Sequence, residues 1–387
     1  LDTPNAALQD DVFMKVGASS TVSHNTLHCF SDGPVDLGLY GSLQPALDHF
    51  MAGDAAGSTP FDRETLAALV GHTAAWVIDG EPSPLDQELQ AIGPRIALVH
   101  YGTNDMGMGS TYLSAMWSFY DSMVYMVDHL SSLGVVPVLT GISHRGDSAS
   151  ADHWVETYNA LIRGIAQTRQ VPFIDLHLAM DGLDGFGLSS DGIHLEAYAE
   201  GACLLTEAGL AHGYNQRNLI VLQALDRVLE VGLGGVDALD ETGARIEGEG
   251  ILDAPFEITG FPFSDGRDTS TSLSEELSLY TGCESGSDES GPEFVYTFTL
   301  DETTRMRALV ADSGETDIDI HLLDETATED GCIARDHHSI QGTIEAGTYH
   351  LVLDTWVDGV GDAKSGAYQL VVVECHPDDV SCDEALR

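Results

Sequence analysis

A serine, an asparagine and an aspartate–histidine pair lie on separate segments and have the side chains that acyl transfer needs. The segments are Gly17-Ala18-Ser19-Ser20-Thr21, Gly102-Thr103-Asn104-Asp105 and Asp191-Gly192-Ile193-His194. A serine hydroxyl becomes a nucleophile when a neighbouring imidazole takes its proton. His194 follows Asp191 by three residues, so the carboxylate can hold one ring nitrogen while the other faces the serine. The amide of Asn104 can donate to a developing oxyanion without changing charge. Each segment also has a purely structural explanation. Ser19 to Thr21 read as N-cap and turn residues, Asn104 as an Asx-turn, and His194 as a solvated loop histidine. Their positions along the chain favour chemistry.

Those positions depend on the elements between them. Residues 12–16 form a short apolar run ended by Gly17, and residues 95–101 form another ended by Gly102. Residues 135–140 and 171–176 are further strand-like runs. Apolar residues at three- and four-residue spacing predict helices over 112–133 and 154–170, and a further helix is expected over 196–208. Strands alternating with helices imply an α/β fold with a parallel sheet covered on both faces. Ligands of such sheets bind at the carboxyl ends of the strands, where Ser19 and Asn104 would lie. His144 and Arg145 follow the 135–140 run and are expected at the same edge, as substrate-binding residues or as a solvated loop. Trp154 and Phe186 are expected to pack in the core rather than line a pocket.

Beyond residue 230 the texture changes. Residues 231–254 are acidic and glycine-rich and read as a linker. From 255 to 387, short runs with period two alternate with Gly- and Asp-containing turns, as at 293–300, 317–323, 348–353 and 368–373. That pattern predicts a small antiparallel β-sandwich. Asp317 and Asp319 share one face of a strand, while Asp354, Asp358 and Asp362 are expected in a loop region. Such carboxylates could hold structural calcium, although chance clustering among 63 acidic residues is the simpler account.

Composition narrows the partners. The 387 residues carry 63 Asp and Glu against 15 Lys and Arg, a formal net charge of −48. Such a field repels nucleic acid and anionic membranes and is best tolerated where salt screens it. No run of 18 apolar residues is present, so no membrane span is expected. Six cysteines occur without any Cys-x-x-Cys spacing, which argues against a zinc or redox motif of that kind. Sequence does not fix their connectivity. Pairing within each half gives Cys29–Cys203, Cys283–Cys332 and Cys375–Cys382 as the expected disulfides, and disulfides place a protein outside the cytoplasm. Any export signal is expected to have been removed from this numbering.

Over roughly residues 1–230 the three segments resemble the signature blocks of the SGNH (GDSL-type) hydrolase family. The resemblance implies a flavodoxin-like three-layer α/β/α sandwich with Ser19 as nucleophile, His194 as base and Asp191 as its orienting acid. It further implies an oxyanion hole made by the N–H of Ser19, the amide of Asn104 and the N–H of Gly71, within Leu69-Val70-Gly71-His72-Thr73-Ala74. One departure stands out: Ala18 occupies the place where the family usually has aspartate, which removes hydrogen bonding that shapes the nucleophile turn. Residues 255–387 resemble the bacterial pre-peptidase C-terminal type of β-sandwich, at Ser290-Gly291-Pro292-Glu293-Phe294-Val295-Tyr296, Asp317-Ile318-Asp319-Ile320 and Ala346-Gly347-Thr348-Tyr349-His350-Leu351. Together the resemblances imply a secreted serine esterase that needs no cofactor for catalysis and acts on small-molecule or carbohydrate esters. The alternative is a catalytically impaired SGNH-fold binding or adhesion protein.

Overall fold

The computed structural model describes residues 8–236, 246–284 and 286–386. The chain divides into two compact units, Leu1–Leu239 and Asp240–Arg387. The first is built on parallel strands β1 (Gln9–Gly17), β2 (Pro94–His100), β3 (Val136–Thr140) and β4 (Phe173–Ile174), adjacent in that order. Beyond β1, Gly17 makes a parallel bridge to Ala68, and the Leu69 N–H donates to Gly17 O at 3.2 Å. Residues 67–69 therefore occupy the edge position that a second strand would fill. The resulting 2-1-3-4-5 order is that of a flavodoxin-like sheet, whose switch point falls between β1 and β2.

Strands buried on both faces read as continuous apolar runs. Phe13, Ile96, Leu98 and Val138 share one core with residues of the Gln44–Met51 and Gly213–Arg227 helices. Met14, Val16, Ala97, Val99 and Leu139 alternate with them and are also buried. The Tyr112–Ser132 and Ala149–Thr168 helices pack on each other and on β3. The first starts with a reciprocal cap: Ser114 N–H donates to Thr111 Oγ1, and Thr111 N–H donates to Ser114 Oγ, each at 3.0 Å. The second begins earlier than its periodicity predicts, because Ser148 accepts from Ala151 N–H and caps it. No helix among the described residues is long and apolar enough to cross a membrane.

The helix expected over 196–208 does not form. Asn215 Oδ1 accepts from Tyr198 N–H, while its Nδ2 donates to Gly201 O at 2.9 Å and Leu204 O at 3.0 Å. Gly201 adopts φ +149, Leu204 bridges Asp36, and Cys203 is bonded to Cys29. These long-range ties hold the segment in turns, and the helix comes later, at Gly213–Arg227.

All three expected disulfides form: Cys29–Cys203, Cys283–Cys332 and Cys375–Cys382. Of the stretch expected as a linker, residues 237–245 lie outside the described residues. Residues 246–254 belong to the second unit, where Val295 N–H donates to Gly250 O and Ile246 packs against the core.

The second unit is two facing sheets. Its strands are β5 (Phe256–Glu257), β6 (Phe263–Asp268), β7 (Phe294–Leu300), β8 (Thr304–Asp312), β9 (Ile318–Leu323), β10 (Cys332–Asp336), β11 (Ser339–Ile344), β12 (Gly347–Thr355) and β13 (Ala367–Glu374). One sheet runs β10-β9-β12-β7-β5 and the other β11-β8-β13-β6. Alternate residues such as Tyr296, Val310, Ile320, Leu353 and Leu370 fill the space between them. A smaller core of Leu277, Tyr280, Val295, Leu323, Cys332 and Val352 covers the far face of the first sheet. Asp354, expected in a loop, lies on β12 opposite Asp319 and is buried.

Candidate active site

Gly17 ends β1 where a Cβ would meet His100 O of β2 at 2.8 Å, so only glycine lets the chain turn this close to its neighbour. A short helix, Ser19–Val22, starts at once. Its first intrahelical bonds run from Thr21 and Val22 N–H to Ala18 O. The N–H groups of Ser19 and Ser20 precede them and have no intrahelical partner. A cleft opens there, lined by Ala18, Ser19, Ser20 and residues 100–105.

The histidine loop meets this turn. His194 Nε2 lies 2.7 Å from Ser19 Oγ, and His194 Nδ1 lies 2.7 Å from Asp191 Oδ2. With the ring proton on Nδ1, the imidazole donates to Asp191 and accepts from the serine. Asp191 Oδ1 accepts from Ser189 Oγ, Ile193 N–H and His194 N–H, each at 2.9 Å. The His194 hydrogen bond, followed by the two backbone N–H groups, holds the Asp191 carboxyl well below its ordinary range. A neutral serine, a base and an ionised acid therefore form one continuous hydrogen-bonded line.

Asn104 sits at the carboxyl end of β2. Its Nδ2 donates to His72 O at 2.9 Å with one of two amide hydrogens. That bond ties the β2 loop to the loop carrying Gly71, whose φ of +77 is a left-handed turn that favours glycine. Asp105 makes a second tie, accepting Ala74 N–H at 2.8 Å on Oδ1 and Gly102 N–H at 2.9 Å on Oδ2. Burial pushes its carboxyl up to about 6. An asparagine there accepts on one oxygen only and turns an NH₂ towards the other donor. Asp105→Asn is therefore expected to cost about 1–3 kcal/mol, read as a lower urea midpoint. An unchanged midpoint would contradict the role of Asp105 as a strut.

The other residues that the sequence singles out occupy different settings. His144 is buried rather than solvated: its Nε2 lies 2.8 Å from Asp181 Oδ1, and Phe186 stacks on its ring. Phe186 is 42% exposed, so it is not the core residue expected, whereas Trp154 is buried. Arg145 forks onto Asp147 at 2.7 and 2.9 Å and donates to Thr103 O at 3.2 Å, bracing the residue before Asn104. Asp317 and Asp319 both face His337, at 3.1 and 2.8 Å, and Asp319 also pairs with Arg335. Asp358 is matched by Lys364 at 2.9 Å.

Sequence reasoning missed two contributors. Ser189 orients Asp191, as above. Arg217, buried in the Gly213–Arg227 helix, donates from Nη1 to Ser20 O at 2.8 Å and to Thr26 Oγ1 at 3.2 Å. It braces the Ser19–Val22 turn, and burial pulls its guanidinium down to about 10, still charged at neutral pH. Nothing in a single amphipathic helix distinguishes this arginine from a surface one.

Residues 37–199 match the GDSL-like lipase/acylhydrolase family. The span contains Gly71, Asn104, Asp191 and His194 and begins after Ser19. No curated protein matches the chain. Similar solved structures include a GDSL-like lipase from Bacteroides thetaiotaomicron, 15% identical, covering 58% of this chain and 94% of that one with a TM-score of 0.36. An acetylxylan esterase from Geobacillus stearothermophilus is 12% identical, with 55% and 93% covered and a TM-score of 0.37. An alpha/beta hydrolase enzyme from the metagenome of Lake Arreo, Spain, is 13% identical, with 55% and 94% covered and a TM-score of 0.36. The similarity to the GDSL-like lipase/acylhydrolase family thus rests on residues 37–199 of this chain.

Proposed function

We propose that the first unit is a serine esterase that hydrolyses carboxylic esters through an acyl-enzyme on Ser19. The observation that carries this reading is the Ser19–His194–Asp191 line, with both links at 2.7 Å. Ser19 Oγ attacks the ester carbonyl carbon while its proton passes to His194 Nε2, and Asp191 stabilises the imidazolium. The oxyanion takes hydrogen bonds from the Ser19 N–H, the free amide hydrogen of Asn104 and the N–H of Gly71. As the tetrahedral adduct collapses, Nε2 returns the proton to the departing alcohol. Water then attacks the acyl-enzyme, giving its proton to Nε2, and the acid leaves as Ser19 recovers its hydrogen.

We further propose that acetylated carbohydrate is the substrate class and that the protein works outside the cytoplasm. The appended β-sandwich supports the first statement and the three disulfides support the second. Labelling with a fluorophosphonate tests the mechanism: one adduct per chain, located on Ser19 by peptide mass spectrometry, is expected. No adduct on the folded protein would favour the non-catalytic alternative that Ala18 motivates. An ester panel varying acyl length and alcohol tests the carbohydrate assignment, with acetylated xylose expected to be cleaved faster than an alkyl acetate.

A further inference from the structure

The far face of the β10-β9-β12-β7-β5 sheet carries a polar cluster that ester chemistry does not use. Alternation along β9 sends Ile318, Ile320 and Leu322 into the sandwich core and Asp319 and His321 to the opposite face. There Asp319 is 2% exposed, while Glu289 and His321 are fully buried. Asp354, across the strand pair from Asp319, is buried as well. Arg335, opposite His321 on β10, donates to Glu289 Oε1 at 2.9 Å and to Asp319 Oδ2. His337 Nδ1 lies 2.8 Å from Asp319 Oδ1. One guanidinium and one partly exposed imidazole thus face the Glu289 and Asp319 carboxylates, while Asp354 accepts from the Tyr280 hydroxyl.

His321 is the anomaly. Tyr280 stacks on its ring with centroids 3.5 Å apart, and neither ring nitrogen has a hydrogen-bond partner. Glu289 Oε2 is also unpartnered. Buried polar atoms are almost always satisfied. Orphaned atoms on two neighbouring side chains point to a shared ligand. A nitrogen of His321 and a carboxylate oxygen from each of Glu289 and Asp319 lie within 4.8 Å of one another.

We propose that Glu289, Asp319 and His321 bind a divalent transition-metal ion of the zinc class inside the C-terminal sandwich. Zinc accepts imidazole nitrogen and carboxylate oxygen together, whereas calcium takes six to eight oxygens and gains little from a histidine. Bonds of about 2.1 Å set tetrahedral ligands roughly 3.4 Å apart, so the three side chains need to converge by little more than an ångström. Arg335 and His337 hydrogen-bond the carboxylates from outside and would aim them, as outer partners of metal sites do. The site is separate from the ester chemistry, so it stands whether or not Ser19 is a nucleophile.

The full chain, stripped with chelator and dialysed, tests the site by calorimetric titration with zinc sulfate. Zinc is expected to bind with a Kd below about 1 µM and to raise the thermal midpoint by several degrees. Both effects should weaken at least 100-fold or vanish in Glu289→Gln and His321→Gln. If either substitution prevents folding, cobalt absorption of the unsubstituted chain decides. Intense visible bands of a four- or five-coordinate ion support the site, and the weak spectrum of the aqueous ion overturns it. Failure to bind zinc, binding that survives both substitutions, or a midpoint raised by calcium but not zinc would each overturn it. A water satisfying His321 and Glu289 predicts the first of these.

Discussion

Ser19→Ala and His194→Ala should each lower kcat for p-nitrophenyl acetate by at least about 10⁴-fold, with the circular dichroism spectrum and urea midpoint unchanged. The size follows from the hydrogen-bonded line: without the hydroxyl there is no acyl-enzyme, and without the imidazole the hydroxyl keeps its proton. Combining the two substitutions should cost little more than either alone, because they disable one step. Their pH behaviour gives an independent check. Asp191 has a folded-state pKa depressed below its unfolded value, chiefly by the His194 hydrogen bond. The stability it contributes is therefore fully present above about pH 4 and is lost only as pH falls through the lower folded value. Between pH 4 and 6 the acid stays ionised. Asp191 should therefore add nothing to the slope of log(kcat/KM) in that range; a slope of two would mean that Asp191 titrates there as well. Turnover by Ser19→Ala at the parent rate would end the esterase reading.

Replacing Cys29 and Cys203 together by serine should remove about 4–5 kcal/mol from the stability of the first unit. The bond spans 174 positions, so in the chain-entropy picture it restricts the unfolded ensemble strongly. Ordinary domains have about 5–15 kcal/mol in total, so the loss is a large part of what holds this one folded. The bond also links the segment after Ser19 to the turns after His194. Activity should therefore fall at denaturant concentrations where tryptophan fluorescence still reports a folded unit. A urea midpoint within experimental error of the parent would show that Asn218 suffices: its Nδ2 donates to Asn25 O at 2.8 Å and Ala202 O at 3.1 Å, holding the same two segments.

The sequence made the parallel strands legible because double burial leaves a nearly continuous apolar record, whole in Ile96 to Val99 and broken in Val12 to Val16 by the buried Lys15. The sandwich strands were legible for the opposite reason, a strict alternation such as Ile318, Ile320 and Leu322 against Asp319 and His321. Residues 196–208 misled because their helical composition is overruled by Asn215 and the Cys29–Cys203 bond, contacts that no local window contains. The pair Asp191 and His194 could be read from spacing, since three residues suffice to bring them together. Arg217 could not, because its partner Ser20 lies 197 positions away. Phe186 was mistaken for core because its place against His144 depends on a left-handed φ of +57 that a sequence does not display.

The turn around Asp191 has a mechanical consequence. Ser189, Ile193 and His194 all bond to one oxygen of Asp191, and its other oxygen holds the ring, so acid and base are a preassembled cartridge. That cartridge is joined to the turn after β1 by His194 Nε2 and Ser19 Oγ, 175 positions apart, and to the loop after β3 by Asp147 N–H, which donates to Gly192 O at 3.2 Å. The line from Asp191 to Ser19 is thus held from two sides, by the turn after β1 and by the loop after β3. A displacement of the loop that broke both ties would part Ser19 from His194 while leaving the Asp191–His194 pair intact.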